Sequence, residues 1–274
     1  MQGVPGQFDS PRDRAQFLQV PHRPGVELYR AHIVHHSFEP HVHDGYGLGA
    51  IESGAERFRY AGAEHRAGAG ALVAMNPDVM HTGHADAADG WRYRMIYLDR
   101  DVLEAFTGDR HWHFDEAVRE DRVRAVQLTG MLDGLWQCRE PLAFDCGLAA
   151  TIDLLRRDAR IERPARDGAR IRFSGVIDYL HAHLSGTVRL EELANVAGLS
   201  PFHFLRQFRA HHHATPQQML MALRMMEAKR RLAAGQAPAQ VAAATGMADQ
   251  AHLTRGFARR YGVTPARYQR QVRG

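Results

Sequence analysis

The sequence predicts an α+β protein, with a β-rich N-terminal half, a helical hairpin and an all-helical C-terminal third. Three observations predict it. Residues 26–98 alternate short branched or aromatic segments with glycine breaks, the pattern of strands and turns. From Arg100 onward apolar residues recur at three- and four-residue spacing, the period of helices. The C-terminal third contains an internal repeat.

The strands are expected at 26–34, 46–52, 56–61, 71–75 and 91–98, separated by Gly54, Gly62, Gly70 and Gly90. Many short strands with evenly spaced turns suggest a sandwich or barrel. Helices follow at 115–138 and 141–158, the second opened by Pro141, and their short separation reads as a hairpin. A charged stretch with Pro164 and Gly168 reads as a linker, placed at 161–171.

Composition narrows the function. A length of 274 residues suggests about two domains. No run of about 18 apolar residues occurs, so no membrane span is expected. Met1 to Ser10 lack the basic start and apolar core of a secretory signal, which points to the cytoplasm. Cys138 and Cys146 are too few for a disulfide scaffold or a four-cysteine zinc site. The net charge of +4 is unevenly spread. Residues 166–274 hold 16 basic and 6 acidic side chains, against 19 basic and 25 acidic in the remainder. A basic third suits a polyanion, because each neutralised phosphate releases condensed counterions. Lys229 is the sole lysine, so the basic load is almost entirely arginine, whose planar fork suits bidentate contacts.

The repeat is the most informative feature. Leu193-Ala194 and Gly198-Leu199 recur at an offset of 48 as Val241-Ala242 and Gly246-Met247. His203, Arg206, Phe208 and Thr215-Pro216 recur at an offset of 49 as His252, Arg255, Phe257 and Thr264-Pro265. Each unit reads as a short helix, a glycine turn, a second helix and a Thr-Pro restart. Glycine suits the left-handed position after a helix, and Ser200-Pro201 reads as an N-cap followed by a first-turn proline. The pairs Phe204/Phe208 and Leu253/Phe257 bury one face. His203, Arg206, Arg209 and Gln250, Thr254, Arg255, Arg259 are left on the other. Met219, Leu220, Leu223, Met226 and Leu232 belong to a long helix between the units. Each unit is therefore a candidate helix-turn-helix, whose second helix enters the major groove.

These segments resemble the DNA-binding domain of the AraC/XylS family of transcriptional regulators. The resemblance is carried by residues 190–200, 224–232, 246–257 and 262–268. Arg189, Pro238 and Met247 depart from the family pattern. The resemblance implies two recognition helices reading successive major grooves of promoter DNA. Their readers would be Pro201, Phe202, His203, Arg206, Gln207 and Arg209, then Gln250, His252, Thr254, Arg255 and Arg259. Arg206 and Arg255 suit guanine and Gln250 suits adenine, whereas Arg209, Arg259, Arg260 and Arg267 suit phosphates. His211 to His213 read as an exposed loop.

Pro40-His41-Val42-His43 and Asn76 to His81, with the glycines between them, resemble the cupin-like sensor domain of AraC-type proteins. This implies a jelly-roll barrel holding a small-molecule effector, for which His41, His43, Tyr46, Glu52, His81, Trp91, Tyr93 and Arg94 are candidate lining residues. In metal cupins the two histidines of the first motif, a glutamate just after them and a histidine of the second motif bind the ion. Here His41, His43 and His81 match but the glutamate is missing. A divalent ion such as zinc on these three histidines is one expectation, and a metal-free pocket is the other. His84, His111 and His113 are expected at the surface.

The resemblance divides the chain into a cupin-like effector-sensing domain (1–105), a helical dimerisation region (106–160), the linker (161–171) and the DNA-binding domain with two helix-turn-helix units (172–274). The expected protein is a non-enzymatic, homodimeric regulator, an activator meeting RNA polymerase, with no membrane partner. Two further readings stay open: a metal-cupin enzyme fused to a DNA-binding module, and a DNA-binding protein whose barrel only holds a dimer together.

Overall fold

The computed structural model describes residues 10–109, 111–161 and 168–273. Eight strands open the chain: β1 (Arg14–Gln19), β2 (Val26–Ile33), β3 (Phe38–His41), β4 (Tyr46–Tyr60), β5 (Ala63–Gly68), β6 (Ala71–Met75), β7 (His81–Ala85) and β8 (Trp91–Leu98). Then come α1 (Arg100–Thr107), β9 (Trp112–His113), β10 (Val118–Glu120), α2 (Arg122–Gln137), α3 (Pro141–Arg156) and β11 (Arg160–Ile161). The remainder is helical: α4 (Gly168–Ala182), α5 (Leu190–Val196), α6 (Pro201–His212), α7 (Pro216–Ala233), α8 (Pro238–Ala244), α9 (Gln250–Tyr261) and α10 (Pro265–Arg273).

The strands form two antiparallel layers sharing β4. One layer runs β1-β2-β8-β4-β6-β10, and the other joins β3, β7, β5 and the second half of β4. The crossing is local. The β4–β8 register slips between Ile51 and Ser53, and Gly54 follows with φ of 74°. A Cβ at Gly54 would stand 1.9 Å from the Gly90 carbonyl oxygen. Only glycine combines that φ with that approach, so the expected break between two strands is a bend in one. β1 and β10 are the outer strands of their layer. The expected barrel is thus an open, folded sheet rather than a closed ring.

Two helix boundaries shift. Val118 to Glu120 pair with β6 as a strand, so the helix expected from 115 starts at Arg122, where Asp121 caps it by accepting from Arg124 N. The hairpin's second helix ends at Arg156, not 158. Within the expected linker, α4 begins at Gly168, and 162–167 lie outside the described residues.

Both faces of the first layer are covered. Tyr46, Leu48 and Ala50 point from β4 toward α2 and α3, where Leu128, Leu132, Phe144 and Leu148 complete one core. The opposite face carries Ile51, Tyr93 and Met95, and its core continues into Leu232, Leu253, Phe257 and Tyr268 of the C-terminal helices. Phe17 of β1 meets Tyr268 edge-on at 5.2 Å between centroids. The second helix-turn-helix thus packs on the sheet. The first has its own core of Phe173, Leu193, Phe204, Phe208 and Leu223, which also takes in Val42 and Met80. Gly198 and Gly246 have positive φ, as the repeat requires. Asp249 caps α9 by accepting from His252 N, and Thr215 and Gln218 form a capping box on α7. Ser200 occupies the N-cap of α6 without a side-chain cap bond; its hydroxyl pairs with His203 Nδ1 at 3.0 Å. Among the described residues no helix is long and apolar enough to cross a membrane.

Candidate ligand cavity and nucleic-acid interface

Between the two layers and α9 lies a small cavity of about 40 Å³. His41 ends β3 and His81 opens β7, and these two residues are paired across the ladder. Their rings lie 4.2 Å apart between centroids, with His43 4.9 Å from His81 and 5.1 Å from His41. A ligating atom from each of the three lies within 4.8 Å of the others. His41 Nδ1 lies 2.7 Å from the Glu39 carbonyl and His81 Nδ1 3.0 Å from the Val79 carbonyl. A carbonyl only accepts, so both Nδ1 atoms carry hydrogen and both Nε2 atoms keep a lone pair. This backbone anchoring is how metal-binding histidines are commonly oriented. Burial, then repulsion from His81, holds His41 and His43 well below the usual histidine range. Burial takes His81 down to about 4. The three rings are therefore neutral at neutral pH and fit a divalent ion as three nitrogen donors. Among the described residues no carboxylate joins the cluster.

Tyr29, Tyr93 and Tyr97 line the same cavity, and so does Glu56 of β4. Tyr93 Oη donates to Tyr29 Oη at 3.3 Å. Burial pushes the Glu56 carboxyl up to about 8. Arg260 and Tyr261 of α9 close the wall. The Arg260 guanidinium is buried, which lowers its pKa. It donates to the Pro40 carbonyl at 3.2 Å and the Gly256 carbonyl at 3.1 Å, and pairs with Glu39 at 3.0 Å.

Of the expected lining residues, the structure brings His41, His43, His81 and Tyr93 together and leaves four elsewhere. Tyr46 faces α2 and α3 and donates to the Trp112 carbonyl. Trp91 sits in the core, stacked on Tyr93 at 5.6 Å. Arg94 points outward to Glu52 and Asp133. Sequence reasoning missed Glu56, Tyr97, Arg260 and Tyr261. It also missed a cleft beside the cavity between β2 and α7, where Lys229 pairs with Glu27. Lys229 Nζ lies 5.0 to 5.6 Å from the ring centroids of Phe17, Tyr97, Tyr261 and Tyr268. Its status as the sole lysine was the available signal.

The recognition helices differ. On α6, Phe204 and Phe208 are buried, Gln207 is half-buried, and Pro201, Phe202, His203, Arg206 and Arg209 are exposed. On α9, Leu253 and Phe257 are buried, His252 is half-buried, and Gln250, Arg255 and Arg259 are exposed. Thr254 is buried, its hydroxyl donating to the Gln250 carbonyl. Arg259 pairs with Glu39 at 3.2 Å. Arg260, expected at a phosphate, is inside the cavity wall. His211 and His212 extend the last turn of α6 rather than a loop, and His213 takes the left-handed C-cap. His84 and His111 are exposed, and His113 is half-buried in β9.

Two polar-faced helices, each the second of a helix-turn-helix, joined to a sheet with an internal cavity, define a DNA-binding regulator with a ligand-binding domain. Residues 23–154 match the AraC-like ligand binding domain, and residues 193–271 match a helix-turn-helix domain. The MmsAB operon regulatory protein of Pseudomonas aeruginosa is 28% identical over 264 residues, covering 92% of this chain and 79% of that protein. The HTH-type transcriptional regulator YbfI of Bacillus subtilis is 26% identical over 256 residues, covering 88% and 90%. ToxT of Vibrio cholerae strain SCE256, solved bound to an unsaturated fatty acid, superposes with a TM-score of 0.56 at 10% identity, covering 94% of this chain and 96% of ToxT. The chain belongs to the AraC family of transcriptional regulators.

Proposed function

We propose that a small molecule held in the cavity changes how α9 meets promoter DNA, so that the protein switches transcription without chemical turnover. The observation that carries this reading is the double use of α9. Arg255 faces outward on the helix whose Arg260 and Tyr261 form the cavity wall. An effector with different affinity for docked and released α9 shifts that equilibrium by its differential affinity and no more. Exposed Val123 (80%), Val126 (66%) and Leu142 (69%) on α2 and α3 support a homodimer paired through this hairpin. The proposed setting is the cytoplasm, with RNA polymerase as the partner of an activator. A divalent ion such as zinc on His41, His43 and His81 belongs to the same proposal. When bound it would supply a Lewis-acid anchor for a polar ligand group.

The test is selection of duplexes from a random pool by the purified protein. We expect a bipartite site spanning two successive major grooves. Arg206→Ala and Arg255→Ala should each cost about 1–3 kcal/mol on their own half of that site. Equal losses on every sequence would reassign both arginines to phosphate.

A further inference from the structure

Glu56 is 6% exposed and is the one carboxyl among the residues lining the cavity. Among the described residues its side chain has no hydrogen-bond or ion-pair partner, and the cation of the cavity wall and that of the adjoining cleft are both committed elsewhere. Arg260 is held by Glu39 and two carbonyls, and Lys229 by Glu27. Space is reserved for the Glu56 carboxyl. A Cβ at Gly83 would stand 2.6 Å from Glu56 Oε1, so glycine on β7 leaves the room the carboxyl occupies. Aromatic rings of Tyr29, Phe38 and Tyr93 share this chamber. An unpartnered buried carboxyl costs stability, and that cost is recovered when a ligand supplies its partner.

We infer that the cavity takes a small ligand bearing an ammonium or similar cationic N–H group on an apolar body, with the cation seated on Glu56. The inference deepens the reading of this cavity as the effector site and rests on it. An anion finds no free cation in this chamber, where the one cation in the lining, Arg260, is already held by Glu39. A cation stabilises the ionised carboxylate, with release of the proton that burial otherwise keeps on Glu56, and gains the faces of the surrounding rings, which attract positive charge through their quadrupoles. An uncharged hydroxyl gains one hydrogen bond without either electrostatic term.

The experiment is calorimetric titration and thermal shift of the full chain with primary ammonium compounds graded from methylammonium to phenethylammonium, alongside 2-phenylethanol and 3-phenylpropionate. We expect at least one ammonium compound to bind and raise the Tm, with the alcohol and the acid far weaker. Glu56→Gln, which keeps the shape, should weaken that binding at least about thirtyfold, as loss of a buried charge partner does. Gly83→Ala, which displaces the carboxyl without removing it, should weaken it too. Binding by none of the ammonium series, equal binding of the alcohol, preferred binding of the acid, or an undiminished affinity in Glu56→Gln would each overturn the inference. None of these readouts uses DNA. Ammonium binding with no effect on duplex affinity would instead overturn the regulatory reading and leave the cavity's ligand class intact.

Discussion

The two helix-turn-helix units come from one repeated sequence pattern but live in different surroundings. α6 buries Phe204 and Phe208 in a core made mostly of its own unit, joined by Val42 and Met80, and leaves Phe202 72% exposed beside Arg206 and Arg209. α9 buries Leu253 and Phe257 in a core shared with the sheet, and it gives up Arg259 to Glu39 and Arg260 to the cavity wall. The difference teaches that one copy of a duplicated module can keep a single task while the other takes on two. The apolar i, i+4 pair is common to both. What separates them is a short run of charge on the last turn, Arg259-Arg260-Tyr261, which meets a partner only because the chain folds the sensor against it.

Breaking each unit's core should expose this division most strongly. Phe208→Ala and Phe257→Ala should each destabilise their surroundings by about 3–5 kcal/mol. Phe257→Ala should also abolish ligand binding in the cavity, whereas Phe208→Ala, whose core reaches the sensor only through Val42 and Met80, should weaken it far less; calorimetry on both variants checks this. A smaller effect is expected from Glu39→Ala. With its carboxylate gone, Arg259 is released to phosphate, so duplex affinity should rise a few-fold. The salt dependence should steepen by about one phosphate contact, read from binding between low and high salt. The smallest effect concerns pH. Glu56 keeps a proton in the folded chain up to about 8, against the ordinary 4.5. Folding therefore holds a proton that the unfolded chain releases, and stability falls as pH rises through that window. Glu56→Gln should flatten this part of the pH–stability curve, with denaturant midpoints at pH 5 and pH 8 as the measure.

Much of this was legible because it is local. The 48- and 49-residue offsets, the glycines at 198 and 246 and the Thr-Pro restarts report short-range geometry, and the helices follow. His41, His43 and His81 were legible through their motifs. Strand facing was misread where its two-residue alternation went unused. Tyr93 and Arg94 are neighbours on β8 and so cannot enter one cavity together. Tyr46 and Ile51 on β4 face opposite cores for the same reason. Glu56 lay beyond Gly54, where the expected break concealed a continuous strand crossing between layers. Arg260 and Lys229 were out of reach for a different cause. Their partners Pro40 and Glu27 lie 220 and 202 residues away, and no local signal announces a contact at that separation.

The solitary lysine has a practical consequence. Its Nζ lies among four rings and a carboxylate at the cleft between sheet and α7, with 16% of the side chain exposed, so its reactivity toward an amine-directed reagent depends on that cleft. Apart from any α-amino group, it is the chain's one primary amine. The rate at which the protein accepts a single acyl tag thus reports on the state of that cleft, and an effector's influence on that rate can be followed by mass alone, before any operator is known.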